Sequence, residues 1–346
     1  MNTFGNIFRL TSFGESHGKA IGGVIDGLPA GCVISLRKVQ EALDRRRPGS
    51  RPGVSPRRES DRLQILSGLM AIDREGVPGE LLDDTDLAVT LGTPVGFLIP
   101  NLDARPGAYD RLRETYRPGH ADFTYDRKYG LRDWRGGGRS SGRETAARVV
   151  AGSFASQLLE TKGISISASI SEIGGCSDAA RFDSIIEEAR TAGDSVGGAV
   201  ICRISGVPAG LGEPVFGKLQ QMLASAMFSI GGVHGFEYGD GFSLCGMRGS
   251  QADDRITPEG FLSNHCGGIL GGISNGDEII FRVGVKPTPS IALPLETIDR
   301  QGNTAEVRTC GRHDPCIAVR GAEVVKAMAA IVMLDAWLVN LSAKDF

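Results

Sequence analysis

The apolar positions of this chain repeat with two periods, and each marks a different kind of element. Short apolar runs at strand spacing fall at Ile21–Ile25, Ile164–Ile170, Val200–Ile204 and Ile279–Val285. Helical spacing begins after Ser35, a natural N-cap, with Leu36, Val39 and Leu43 on one face and Pro48-Gly49 as the stop. A second helix is predicted from about Glu144 to Lys162, closed by Gly163. Shorter ones are predicted near Phe182 to Ala192 and from Glu213-Pro214, where Val215, Leu219, Met222, Leu223 and Ala226 form a core stripe. The last, about Ala322 to Leu341, is apolar on most sides, which predicts burial between layers. Residues 63–100 read as mixed strands and turns.

The pattern repeats. Ser16 stands eleven residues before the turn Gly27-Leu-Pro-Ala-Gly31, and Ser195 stands eleven before Gly206-Val-Pro-Ala-Gly210. Each copy reads loop, strand, turn, helix. The offset of 179 residues is close to half the chain, so a single domain of two related halves, about 1–175 and 176–346, is expected. Val196 stands in the second copy where the first has His17.

Composition narrows the class. The 346 residues are 41% hydrophobic, with mean hydropathy near zero, as in a soluble globular protein. Glycine is 49 of 346, about twice the usual ~7%, and has no G-X-Y period, so it serves turns and ligand loops. No secretory leader or membrane span is expected; the longest strongly apolar run near the C-terminus without charge is Ala327–Leu334. Seven irregularly spaced cysteines point to reduced thiols in a cytoplasmic protein. Net charge is −3, but residues 1–150 hold 23 Lys/Arg against 19 Asp/Glu, and the rest hold 15 against 22. The basic half is where anionic ligands are expected.

The chemistry concentrates at Leu131–Thr145, with four arginines, four glycines and Ser140-Ser141. Glycine lets backbone approach a ligand, arginine forks match phosphate and carboxylate, and the Ser141/Glu144 spacing is that of a capping box at a helix start. Together these describe an anion cradle; a solvated Gly/Arg loop is the plainer alternative. Arg45-Arg46-Arg47 ends the first helix, where the helix dipole favours cations, and Arg51, Arg57 and Arg58 follow. All five histidines, His17, His120, His234, His265 and His313, lie within two residues of a glycine, in loops where proton-transfer groups tend to sit. The rival readings are weak. Cys310, His313 and Cys316 lack zinc spacing, and Ser16-His17 lacks a nucleophile elbow. Gly212–Lys218 nearly spells a P-loop, but Leu219 replaces the required Ser/Thr. Nucleic-acid binding is disfavoured by a pI of about 6.0, 6% aromatics and no reader motif.

Taken in order, the motifs resemble the chorismate synthase family across nearly the whole chain. They are Phe-Gly-Glu-Ser-His-Gly at 13–18, Arg-Arg-Arg-Pro-Gly at 45–49, Arg-Pro-Gly-His-Ala-Asp at 117–122 and Arg-Gly-Gly-Gly-Arg-Ser-Ser at 135–141. Gly-Gly-Ile-Ser-Asn-Gly at 271–276, Lys-Pro-Thr at 286–288 and Gly-Arg-His-Asp-Pro-Cys at 311–316 complete the series. The resemblance implies an α+β fold, a β-α-β sandwich with helices between antiparallel sheets, assembled as a homotetramer. It implies 1,4-anti elimination of phosphate from 5-enolpyruvylshikimate 3-phosphate to give chorismate, requiring reduced FMN without net redox change. An acid–base lyase without flavin is the alternative enzyme reading.

By the same resemblance FMN contacts fall at Arg139, Ser140, Ser141, Gly231, Gly232, Gly271, Lys286, Pro287, Thr288, Pro289, Ser290 and Arg312. His17 and His120 would handle protons, Asp314 would act near the flavin, and Ser16 would support it. Arg46 would bind an anionic ligand, at a nicotinamide-phosphate position of the family, with NADPH binding left open. Arg135 is assigned to the substrate side on charge grounds. Gly231-Gly232, His234, Pro289 and Gly142 stand where the family often has Asn-Ala, Lys, Ser and Ala. No reductase module is evident, so an external source of reduced FMN is expected.

Overall fold

The computed structural model describes residues 1–47, 59–73, 75–81, 85–103, 112–309 and 314–344. Pro48, Gly49, Arg51, Arg57, Arg58, Cys310, Arg312 and His313 lie outside the described residues. Two antiparallel sheets flank a layer of helices. The first is ordered Thr3–Phe4, Arg9–Phe13, Ala20–Asp26, Val95–Pro100, Gln64–Ile65. The second is ordered Ser165–Ile173, Gly198–Ser205, Ile279–Val285, Val233–Tyr238. A smaller sheet joins Val33–Ser35, Leu87–Thr90, Leu69–Ile72 and Pro78–Gly79. The helices are α1 (Leu36–Arg46), α2 (Asp122–Tyr129), α3 (Thr145–Glu160), α4 (Phe182–Thr191), α5 (Leu219–Phe228), α6 (Gly249–Ala252) and α7 (Ala318–Lys344). The fold is α+β.

Burial follows the sequence pattern. In α1, Ser35 accepts a hydrogen bond from the Lys38 amide at 3.2 Å, and Val39 and Leu43 turn inward. Helix α3 presents Ala146, Val150, Phe154 and Ala155 to the core and packs along α7. It touches strands Arg9–Phe13 and Ala20–Asp26 of the first sheet and Ser165–Ile173 of the second. By length and composition Ala318–Ala343 could cross a membrane, but 67% of its most apolar window is buried inside the protein. Asp335, buried in α7, accepts from the backbone amides of Asn6, Ile7 and Phe8 at 2.7–3.0 Å. This ties the loop between the first two strands to the last helix. The six described cysteines are free.

Two predicted helix starts differ from what forms. The helix expected from Glu213-Pro214 begins only at Leu219, and Val215 is exposed. Gly212 bridges to Ile273, and the Leu219 amide donates to the Gly272 carbonyl at 2.8 Å. The chain here is held by the 269–274 hairpin, which replaces a first helical turn. At α3, Ser141 accepts from the Arg143 amide, but Glu144 pairs with Arg148 at 2.9 Å instead of reaching back to close a capping box. A 3₁₀ turn over Gly142–Glu144 therefore precedes the helix.

The repeated turns have matching geometry. Gly27 and Gly206 both have positive φ, +79° and +76°, and a Cβ on either would strike a backbone carbonyl within about 2 Å. Each follows an interior strand of its sheet, Ala20–Asp26 or Gly198–Ser205.

Candidate active site

A cavity of about 610 Å³ opens where α7 begins, a size suited to small-molecule ligands. Its wall is built from the 117–121 turn, the Gly-rich loop running into α3, the 229–233 turn after α5, and the segment following strand Ile279–Val285.

Three consecutive glycines shape the Gly-rich loop. Gly136, Gly137 and Gly138 have φ of +66°, +86° and +54°, a run that residues with a Cβ rarely adopt. Two of them also seat the histidines predicted to move protons. A Cβ on Gly136 would lie 2.4 Å from His17 Cε1, and one on Gly137 would lie 2.7 Å from His120 Cε1. The loop thus runs between the two imidazoles. Ser16, fully buried, has its Oγ 3.0 Å from His17 Nδ1.

His120 belongs to a buried charge cluster. Asp122 accepts from the Arg117 backbone amide at 3.1 Å, from Arg117 Nε at 2.8 Å and from Arg117 Nη2 at 3.0 Å. His120 Nδ1 lies 3.0 Å from Asp122 Oδ1 and 3.2 Å from Arg117 Nη2, while Arg132 Nη1 reaches Asp122 at 3.2 Å. Burial opposes ionisation of Asp122, yet the His120 and Arg117 hydrogen bonds and charges hold its carboxyl well below the usual range. Burial pushes the His120 imidazolium below its ordinary value; Asp122 opposes this, and Arg117 reinforces it.

Seven cationic side chains and three carboxylates line the cavity. Five of the cations are already matched. Arg46 Nη2 donates to Asp61 at 2.5 Å, and Arg143 pairs with the same carboxylate. Arg117 pairs with Asp122, Arg148 with Glu144 and Arg320 with Asp314 at 2.6 Å. Arg139 instead donates to Ser12 Oγ at 2.8 Å and the Gly14 carbonyl at 3.3 Å, and Lys286 donates to the Gly119 carbonyl at 2.7 Å. Among the described contacts neither meets a carboxylate, so their charge is available to an anion. Arg46 Nε, buried at the cavity wall, has no hydrogen-bond partner among the described residues.

The structure gathers His120, Asp314, Arg46, Arg139, Ser140, Ser141, Gly231, Gly232, Lys286, Thr288, Pro289 and Ser290 into this wall. His17 and Ser16 lie against Gly136 and are not among the lining residues, nor are Gly271 and Pro287. Arg135 is exposed and pairs with Asp133 at 2.9 Å, away from the lining. Arg46, at the end of α1, is buried, with 1% of its surface exposed. Burial, with the nearby Arg320 and Arg143 charges, pushes its guanidinium down to about 10 against the pull of Asp61, and it remains a cation at neutral pH. Reading the sequence singled out neither Asp61, Asp122 and Arg117 nor Arg320. Asp122 and Arg117 flank His120 within one hexapeptide and could have been found there. Asp61 and Arg320 are joined to the site only by folding.

A family profile described as chorismate synthase matches residues 8–338. A chorismate synthase of Porphyromonas gingivalis is 47% identical over 99% of this chain and 97% of its own length. One of Syntrophus aciditrophicus is 49% identical over 96% of each. A crystal structure of chorismate synthase superposes with a TM-score of 0.73 at 28% identity, covering 98% of this chain and 94% of that one. A full-length match in sequence, joined to the same fold, leaves one conclusion: the chain belongs to the chorismate synthase family.

Proposed function

We propose that the cavity holds 5-enolpyruvylshikimate 3-phosphate beside reduced FMN and that its side chains carry the elimination to chorismate. The lyase activity itself, a step of the shikimate pathway in a family that requires flavin, follows from the family. In that reaction the C–O bond to phosphate breaks, the phosphate leaves with the bonding pair, and a ring C–H loses its proton. The C–H electrons become part of the new diene, so there is no net oxidation.

The observation that carries the reading is the surplus of cations, with Arg139 and Lys286 uncompensated. Substrate and FMN together bring two phosphates and two carboxylates, and fixed cations stabilise a departing phosphate as its charge grows. The donor set fits FMN: Arg139, Ser140, Ser141, Lys286, Thr288 and Ser290 offer charge and hydroxyls, and Gly231 and Gly232 leave one wall without side chains. Bound reduced flavin supplies the transient electron density that no side chain can. Burial favours the neutral form of His120, which can take up a proton; His17 and Asp314 complete the proton-handling set. NADPH is assigned no site, because Arg46, the position expected for it, is committed to Asp61. A homotetramer, a cytoplasmic setting and an external supply of reduced FMN belong to the same proposal.

The test is anaerobic phosphate release from the substrate with and without reduced FMN. The expected result is release only with reduced FMN, and chorismate far in excess of flavin oxidised. Equal rates without flavin would leave an acid–base lyase, and one flavin oxidised per chorismate would mean net reduction.

A further inference from the structure

His120 Nδ1 faces two groups with opposite demands. Arg117 Nη2 at 3.2 Å is a permanent donor, so it can satisfy Nδ1 only if that nitrogen is unprotonated. Asp122 Oδ1 at 3.0 Å is a permanent acceptor while ionised, so it can satisfy Nδ1 only as Nδ1–H. The two contacts specify different tautomers. In one, Nε2 carries the lone pair; in the other, Nε2 carries the proton. The Cε1–Nε2 edge lies on the Gly137 side of the ring, so the choice sets what His120 offers there.

We propose that Asp122 is a positioning residue that selects the Nδ1–H tautomer of His120 and so leaves Nε2 as the nitrogen able to accept a proton. Arg117 serves Asp122 rather than His120. Its Nε and backbone amide both bond Asp122 Oδ2, and its Nη2 is nearer to Asp122 Oδ1 than to the ring. Arg132 adds a second cation at 3.2 Å. Two cations on one buried carboxylate keep it ionised, and an ionised carboxylate is the stronger acceptor for a ring N–H. The charged groups facing His120 are therefore Arg117, Arg132 and Asp122, with Lys286 fixed one residue away on the Gly119 carbonyl. When Nε2 takes a proton, the imidazolium is compensated by Asp122. Without that carboxylate two cations would oppose it.

The inference rests on His120 handling protons in the proposed reaction, so its test includes a readout independent of turnover. Nitrogen-15 NMR of histidine-labelled protein, with the His120 signals assigned by their loss in His120→Gln, reports the tautomer directly. The expected wild-type state is Nδ1–H with Nε2 unprotonated. Asp122→Asn keeps the shape but offers an amide donor, so it is expected to invert the tautomer to Nε2–H and lower the His120 titration midpoint. It should also reduce kcat by about 10²–10⁴-fold, with KM little changed and the thermal midpoint retained closely enough for assay. If Asp122→Asn does not fold, the wild-type spectrum alone decides the tautomer. A wild-type Nε2–H ring, or a folded Asp122→Asn with full turnover, overturns the proposal. No turnover in the wild type beside an Nδ1–H ring would instead overturn the reaction assigned to the cavity.

Discussion

The cations around the cavity fall into two groups that the sequence does not separate. At the floor, Arg46 and Arg143 converge on the buried carboxylate of Asp61, and Arg320 is bound to Asp314 and to the Arg46 carbonyl. At the rim, the contacts of Arg139 and Lys286 among the described residues are with hydroxyl and carbonyl oxygens. An arginine already neutralised in the protein has little attraction left for a ligand; its work is to hold the ends of α1 and α3 together. One resting on neutral oxygens keeps its charge for whatever enters. Charge density along the chain therefore locates a site, and the partners of each charge decide what it does.

The largest effect should come from breaking the floor. Arg46→Ala leaves Asp61 buried without its main partner, and removing one member of a buried pair costs about 3–5 kcal/mol. Chemical denaturation should show this loss. A variant as stable as the wild type, with impaired ligand binding, would move Arg46 to the rim group.

A smaller effect follows from acid. Burial opposes ionisation of Asp61, but the Arg46 and Arg143 charges prevail and hold its carboxyl below the ordinary 3.8. Its stabilisation is therefore complete above about pH 4 and is lost as pH falls through the folded-state value. Each unit of separation corresponds to about 1.4 kcal/mol. Asp122 contributes in the same direction. Denaturation midpoints measured from pH 6 to pH 3 should fall more steeply for the wild type than for Asp61→Asn, and parallel curves would contradict the assignment.

The smallest effect belongs to a third kind of cation. Arg203 pairs with Glu278 at 2.8 Å, but both are half in solvent. Arg203→Ala should cost less than about 1 kcal/mol and leave ligand binding unchanged. A larger loss would mean that charge pairs here cannot be ranked by burial.

Much of the fold was legible because its signals are local. The strand at Ile279–Val285 and the Ser35 cap of α1 are written within a few residues of where they act. The buried final helix was readable from an apolar stretch with almost no polar face. The late start of α5 was not, because the 269–274 hairpin that replaces its first turn lies some fifty residues on. The site divides in the same way. The Gly-rich loop and the histidine turn announce themselves, and their motifs carried the family. The burial of Arg46 did not, because Asp61 stands beyond the 45–49 motif and meets it only in the folded chain. The fit of Gly136 to His17 and of Gly137 to His120 likewise joins segments over a hundred residues apart, or on opposite sides of helix α2.

Removing the rim cations alone separates the two groups. FMN would be titrated into wild type, the Arg139→Ala/Lys286→Ala double variant and the Arg203→Ala control, with the unfolding midpoint of each measured in parallel. Charge-assisted bonds contribute roughly 1.5–3 kcal/mol each, so the double variant should show a Kd at least about tenfold higher with an unchanged midpoint, and the control should match wild type. Wild-type affinity in the double variant would show that the uncompensated cations do not hold the phosphate and would contradict the assignment of the cavity.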